Sequence, residues 1–530
     1  MYIYRIRLVF VLLISLFVVG KGLASSNIVT ENFSTIINSM PKKAEAKGLE
    51  TNDVVQNLPE LGDASSYTVS SQDERILVEE LKREIRKDPD YIQDALLSDY
   101  LNQLGQRLSE AAQQGMLSER QTFELFGVRD ASINAFAMPG GLIGIHTGLI
   151  SAAESESKLA SVLGHEMGHV LQKHYARGQE KNSRNTWIAL AGMALGALAA
   201  SRSPDMAQGL IAGGQALAVN NMLVFSRDAE READRVGFQI LLNSGLDLTA
   251  FPKFFERLQR ANALNESSQS YVRTHPLTSE RIADMENRVR FVKMQNKIGP
   301  SLEYELLRVR ARVLQVNGFD GLQKLQQMYV VTQDLPVKQI SAAYALALIA
   351  QQQGKWQIAE QFLKKARDLL GQNPALGKSV FLAVTANELA VQQNHLSQAL
   401  SLAEQGLQQY PESQAVKIAY ARTLITAKRY IEAAQFAEAQ SKIYASQLIW
   451  WELLAESYAR QGKQAEQHRA LAERFAQQAL WLDALQQLQI ARRADDADFY
   501  LLSKIDARIN QIKGVMRENK IPIPSNLKFL

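Results

Sequence analysis

Residues 163–170 read Leu-Gly-His-Glu-Met-Gly-His-Val, which places His165 and His169 four residues apart with Glu166 between them. On an α-helix that spacing turns by about 40°, so both imidazoles reach one point beside the helix. Imidazole is a good Zn²⁺ ligand, and a flanking carboxylate can take a proton from water held there. Leu159, Val162, Leu163 and Val170 are spaced as one apolar stripe, and Glu166 projects from inside it. A carboxylate without a partner is costly in such a place, so a nearby cation is implied. The chemistry this predicts is metal-assisted hydrolysis, most simply of peptides, with Glu166 as the catalytic base.

Catalytic zinc takes three protein ligands and keeps one position open. Residues 226–235 read Ser-Arg-Asp-Ala-Glu-Arg-Glu-Ala-Asp-Arg, and as a helix Glu230, Ala233, Asp234, Gly237 and Leu241 share one face. Two carboxylates on an otherwise small or apolar stripe repeat the anomaly of Glu166. Glu230 is therefore expected as the third ligand. Asp234, one turn on, is expected to orient His165 or His169 through its far ring nitrogen. Glu232 falls on the opposite side and reads as a solvated surface charge.

His165-Glu166-x-x-His169 followed by Ser226-Arg227-x-x-Glu230-x-x-Ala233-Asp234 resembles the M48 zinc metallopeptidases. So do the segment Asn134-Ala135-Phe136-Ala137-Met138-Pro139-Gly140-Gly141 and the later His275-Pro276-x-x-x-x-Arg281. The resemblance implies one Zn²⁺ per chain on His165, His169 and Glu230, with Glu166 as general base and later general acid and Asp234 supporting catalysis behind the metal. It implies that Asn134 to Gly141 form an edge strand that pairs with extended substrate, with Asn134, Ala135 and Phe136 as candidate contacts. It further implies that His275 can fill the open metal position and keep the enzyme idle. For Arg281 two roles stay open, stabilising the oxyanion of the reacting substrate or anchoring its loop. His146 and His174 have no such support and read as structural or solvated.

The elements that must position these residues are mixed. Helical periodicity runs over residues 73–114, residues 122–128 alternate like a strand, and residues 135–150 contain a second strand broken by Pro139-Gly140-Gly141. Residues 187–219 hold two apolar runs around Ser201-Arg202-Ser203-Pro204, too short to span a bilayer comfortably. They read as a buried helical hairpin over the active-site helix; peripheral membrane contact is the sharper alternative. Beyond residue 303 the texture becomes rich in Ala, Leu and Gln. Ala399 and Ala433 are 34 residues apart, as are Ala421 and Ala455, which is the tetratricopeptide repeat. The spacing drifts to 40 between Ala359 and Ala399. Four to six helix pairs are expected, roughly.

The fold class expected is mainly α: an α+β zincin-like domain with a small sheet, then a helical solenoid. The divisions are 1–24 signal peptide, 25–71 polar linker, 72–298 peptidase domain, 303–515 repeats and 516–530 tail. Arg5 and Arg7, the apolar run 8–20 and small residues to Ala24 read as an export signal cleaved near Ala24, hence a periplasmic protein. The chain has no cysteine, so no disulfide staples it. With 59 basic and 55 acidic residues and no long single-sign run, nothing points to nucleic acid. An exported M48 chain bearing such repeats resembles those that act with the outer-membrane β-barrel assembly machinery. The implied partners are that machinery and unfolded or stalled outer-membrane proteins, degraded or chaperoned. A non-enzymatic repeat scaffold with a structural metal is the rival reading.

Overall fold

The computed structural model describes residues 71–114, 121–174, 227–263, 270–292, 301–330, 335–519, 521–524 and 527. The residues read as an export signal, the polar segment up to residue 70, the apolar stretch 187–219 and Ser226 lie outside the described residues. Residues 71–516 belong to one compact unit.

Helices α1 (Ser71–Lys87) and α2 (Ala95–Gln113) come first. Asp94 caps α2 by accepting from the Leu97 amide at 2.9 Å, and the helix buries Leu97, Leu101, Leu104 and Leu108. Three strands follow, β1 (Glu124–Val128), β2 (Ala135–Met138) and β3 (Leu142–His146), in the order β1-β3-β2. β1 runs parallel to β3, and β2 is antiparallel to it with Ala135 opposite Ile145. Between β2 and β3, Gly140 and Gly141 take φ of 74° and 78°, where a side chain would be strained.

β1 does not show the half-exposed alternation expected of it, because both its faces are covered. Leu97 of α2 lies against Gly127 on one face. On the other, Phe126 packs among Tyr91 and Phe136. Next come α3 (Thr147–Ala152), α4 (Glu156–Leu171), α5 (Arg227–Asn243), α6 (Ala250–Ala263), α7 (Ser270–Thr274) and α8 (Ser279–Phe291).

The carboxyl-terminal part is a run of helix pairs: α9 (Leu302–Gln315) with α10 (Phe319–Val330), α11 (Pro336–Gln352) with α12 (Trp356–Gly371), α13 (Val380–Gln392) with α14 (Leu396–Gln409). Then α15 (Gln414–Thr426) pairs with α16 (Tyr430–Ile443), α17 (Leu448–Arg460) with α18 (Gln464–Gln477), and α19 (Trp481–Arg493) with α20 (Phe499–Glu518). α20 thus runs into the stretch read as a tail. In each of the four pairs from α11 to α18 the turn uses a residue with positive φ: Gly354, Asn394, Lys428 and Gly462. Their spacings are 40, 34 and 34 residues. The long first spacing coincides with a 3₁₀ turn, Pro374–Leu376, between α12 and α13, which accounts for the drift in the sequence period.

Solenoid and peptidase part share one continuous hydrophobic core that reaches Val416. A buried polar joint fixes them in register. Arg310 Nε donates to both Asp94 oxygens at 2.9 Å, and its Nη1 donates to the Tyr344 hydroxyl at 3.0 Å. Asp99 accepts from the Ser413 hydroxyl at 2.5 Å and the Ala415 amide at 3.2 Å, closing the α15 amino terminus onto α2.

Removing one member of a buried ion pair strands the other. We expect Arg310→Ala to cost about 3–5 kcal/mol, against about 1.5–3 kcal/mol for Tyr344→Phe, which deletes one hydrogen bond to the guanidinium but leaves the ion pair. Denaturant midpoints of the two variants measure the difference; equal losses would show the ion pair to be unimportant.

Candidate metal centre

α4 and α5 touch through their smallest residues. A Cβ placed on Gly168 would lie 2.8 Å from the Ala233 carbonyl oxygen, and one on Gly237 would lie 2.8 Å from the His165 amide nitrogen. Each glycine of α4 immediately precedes a histidine, so backbone contact at Gly164 and Gly168 sets His165 and His169 against Glu230 and Asp234. Ser155 starts α4 by accepting from the Lys158 amide, and the helix is buried from Leu159 to His169.

His165, His169, Glu230 and His275 each offer one ligand atom within 4.8 Å of the others, and all four are buried. Zn²⁺ held tetrahedrally at about 2.0–2.1 Å sets its donors roughly 3.3 Å apart. His165 Nε2 lies 3.0 Å from His169 Nε2, 3.3 Å from His275 Nδ1 and 3.4 Å from Glu230 Oε2. Glu230 Oε1 lies 3.5 Å from His169 Nε2 and 3.0 Å from His275 Nδ1. Three ring nitrogens and a carboxylate directed at one point are a donor set of the right type and size for a divalent metal.

Charge agrees. Glu166, Glu230 and Asp234 are buried with one guanidinium, Arg281. With all of these ionised and the imidazoles neutral, two negative charges remain, which one divalent cation balances. Both Glu166 oxygens are buried without a hydrogen-bond partner among the described residues, and the nearest ring nitrogen, His275 Nε2, is 3.5 Å away. Burial raises the Glu166 carboxyl above its ordinary range, with His275 and His165 opposing. Burial alone would lower His165, but its bonds to Asp234 and Glu230 hold it up at about 9 before any metal is considered. For His169 burial outweighs the hydrogen bond and charge of Glu230 and drives it far down, toward the neutral imidazole that a metal would take. For Glu230 burial opposes ionisation, yet His275, His165 and His169 hold it far below the usual carboxylate range.

Behind the donors, His165 Nδ1 donates to Asp234 at 2.9 Å. Arg281 holds Asp234 with Nε and Nη2, both at 2.7 Å, and reaches Glu230 with Nη1 at 2.7 Å. Nη1 also donates to the Pro276 carbonyl, so Arg281 is arranged as an anchor of its loop and of both carboxylates. His275 stacks on Tyr271 at 4.7 Å. Ala135 and Phe136 lie on β2, which pairs with β3 alone among the described strands; Asn134 precedes it, buried, its carbonyl accepting from the His146 amide. The Phe136 ring turns onto Gly144 and Phe126. His146 bonds Ser132 at 2.8 Å. His174 and Glu232, read from sequence as structural and solvated, bond each other, and His174 contacts His169.

The model of peptidase family M48 matches residues 98–289, and a tetratricopeptide repeat model matches residues 390–457. A putative beta-barrel assembly-enhancing protease of Vibrio cholerae is 30% identical over 468 residues, 88% of this chain and 94% of the relative. The beta-barrel assembly-enhancing protease of Escherichia coli K12 is 28% identical over 472 residues, 88% and 93% of the two chains. The mitochondrial metalloendopeptidase OMA1 of Arabidopsis thaliana is 31% identical over 160 residues, 30% of each chain.

Because the Gly168 Cβ would meet backbone, the helices must separate to admit it. Overpacking costs roughly 1–3 kcal/mol, more than the ~1 kcal/mol that alanine adds to a helix. We expect Gly168→Ala to lower thermal stability and weaken metal binding by on the order of tenfold. Gly371→Ala, with nothing within 4 Å, should do neither. Metal titration of both variants tests this; unchanged binding by Gly168→Ala would discount the close contact.

Proposed function

Since the chain belongs to peptidase family M48, among the beta-barrel assembly-enhancing proteases, we propose that this metalloendopeptidase uses Zn²⁺ held by His165, His169 and Glu230 to cleave misassembled outer-membrane β-barrel proteins in the periplasm. The observation that carries the site assignment is the buried, unpartnered Glu166 beside four converging donors. A bound divalent metal supplies Lewis acidity at the scissile carbonyl. Glu166 takes the proton of the attacking water and returns it to the leaving amine. Asp234 fixes the His165 tautomer by accepting from Nδ1. β2 offers its outer edge to an extended substrate, which binds main chain with little sequence preference. The repeats offer a surface for clients and for the barrel-assembly machinery. Periplasmic location rests on the amino-terminal sequence pattern and on the barrel assembly in the relatives' names.

Zn²⁺ over other divalent metals is favoured by the nitrogen-rich, four-donor set. That closed set also supports the rival reading, a scaffold with a structural metal. Glu166 argues against it, since a structural site has no use for a buried carboxylate that neither ligates nor hydrogen-bonds a ligand. We assign His275 to the fourth position as a ligand that must withdraw before water can enter.

Two variants decide the matter. Glu166→Gln should keep fold and metal content while casein cleavage falls by about 10²–10⁴-fold; full activity would reject the mechanism. His275→Ala should raise cleavage if the histidine restrains the site. Loss of metal without gain of cleavage would favour the scaffold.

A further inference from the structure

His174 is the one histidine near the centre that neither the ligand set nor the carboxylate support accounts for. It follows the end of α4 (Leu171), where Lys173 takes a left-handed φ of 50° and bends the chain back. The side chain is buried. Its Nδ1 lies 3.0 Å from His169 Nδ1, and its Nε2 lies 3.1 Å from Glu232 Oε2. Glu232 sits on α5, two residues after the ligand candidate Glu230 and half-buried.

The hydrogens along this row follow from the two ends. If His169 Nε2 presents its lone pair to a metal, its Nδ1 carries the proton and donates. His174 Nδ1 must then accept, so the His174 proton is on Nε2. An ionised carboxylate can only accept, and Glu232 receives that proton's hydrogen bond. Each step permits one arrangement. His165 has the analogous partner in Asp234, held by Arg281. The two metal-facing imidazoles of α4 are thus supported from behind by separate rows, one direct and one through a second ring.

We propose that His174 and Glu232 are positioning residues for the metal: the row Glu232–His174–His169 fixes the His169 tautomer and ring orientation. The inference rests on His169 being a metal ligand, as read above. It assigns a role to two residues outside the ligand set.

The test uses the full chain, with Zn²⁺ affinity read by chelator competition and site geometry by the visible spectrum of the Co²⁺-loaded protein. His174→Phe keeps a ring but no nitrogen, and Zn²⁺ affinity should fall about 10–100-fold with a changed Co²⁺ spectrum. His174→Asn keeps an acceptor oxygen near the Nδ1 position and should recover part of that loss. Should the buried His174→Phe fail to fold, the half-exposed Glu232 gives an independent reading. Glu232→Gln retains an accepting oxygen and should stay near wild type, whereas Glu232→Lys can only donate and should lose about tenfold or more. Asp228→Lys makes the same charge change one turn earlier on α5, at a position 93% exposed, and should leave affinity within about twofold.

Wild-type affinity and spectrum in both His174→Phe and Glu232→Lys would overturn the proposal while leaving the ligand assignment intact. Equal losses in Asp228→Lys and Glu232→Lys would also overturn it, reducing the effect to charge. Unimpaired metal binding by His169→Ala would overturn the ligand assignment itself, and the row with it.

Discussion

Three carboxylates and one guanidinium enclosed with three imidazoles make an arrangement that is tolerable only around positive charge. Glu166, Glu230 and Asp234 are each at most 1% exposed. Arg281 compensates one charge, and the rest falls to protons or to a metal. Removing an ionised carboxylate from water costs several kcal/mol or more unless it is paired. The fold accepts that cost where α4 and α5 come into backbone contact. Gly164, Gly168, Ala233 and Gly237 permit the approach, and the residues that follow the two α4 glycines are the candidate ligands His165 and His169. The same residues therefore set both the separation of the helices and the size of the cage.

This explains which parts of the centre are legible in sequence. His165, Glu166 and His169 follow from helical spacing alone. Glu230 and Asp234 follow from carboxylates on a stripe that is otherwise small or apolar, and the small residues of that stripe are the contact itself. His174 is hidden for a geometric reason. Five residues past His169, it would point about 140° away on a continuing helix. It returns to His169 only because α4 stops and Lys173 goes left-handed, which helical periodicity does not encode. Glu232 is hidden with it, since its partner was not in view. Phe136 illustrates another limit: β2 was recognisable, but its inward and outward faces depend on Gly144 and Phe126 across the sheet.

The rest of the fold divides the same way. Repeat spacing shows the solenoid because every unit needs small residues where its helices meet, as at Ala399, Ala433 and Ala437. The departure from 34 residues marks a real insertion, the Pro374–Leu376 turn. The joint with the peptidase part was not readable. Asp94, Asp99 and Arg310 look like ordinary helix charges in sequence. They become a buried network only when α2, α9, α11 and α15 are assembled. Long-range polar pairs carry no local signature.

That joint bears on how binding along the repeats could reach the metal. α2, capped by Asp94 and carrying Asp99 in its second turn, packs on β1 through Leu97 and Gly127, and β1 pairs with β3 beside the substrate-edge candidate β2. The α9 residues Tyr304 and Arg308 bond the carbonyls of Ala153 and Ser151, just before α4. The solenoid thus grips both the sheet and the start of the metal helix through buried groups rather than a linker. A load on the repeats would be felt at the two elements that must align substrate edge and ligands. Independent domains joined by a flexible hinge would share no such core, and a client held by one would leave the other unmoved.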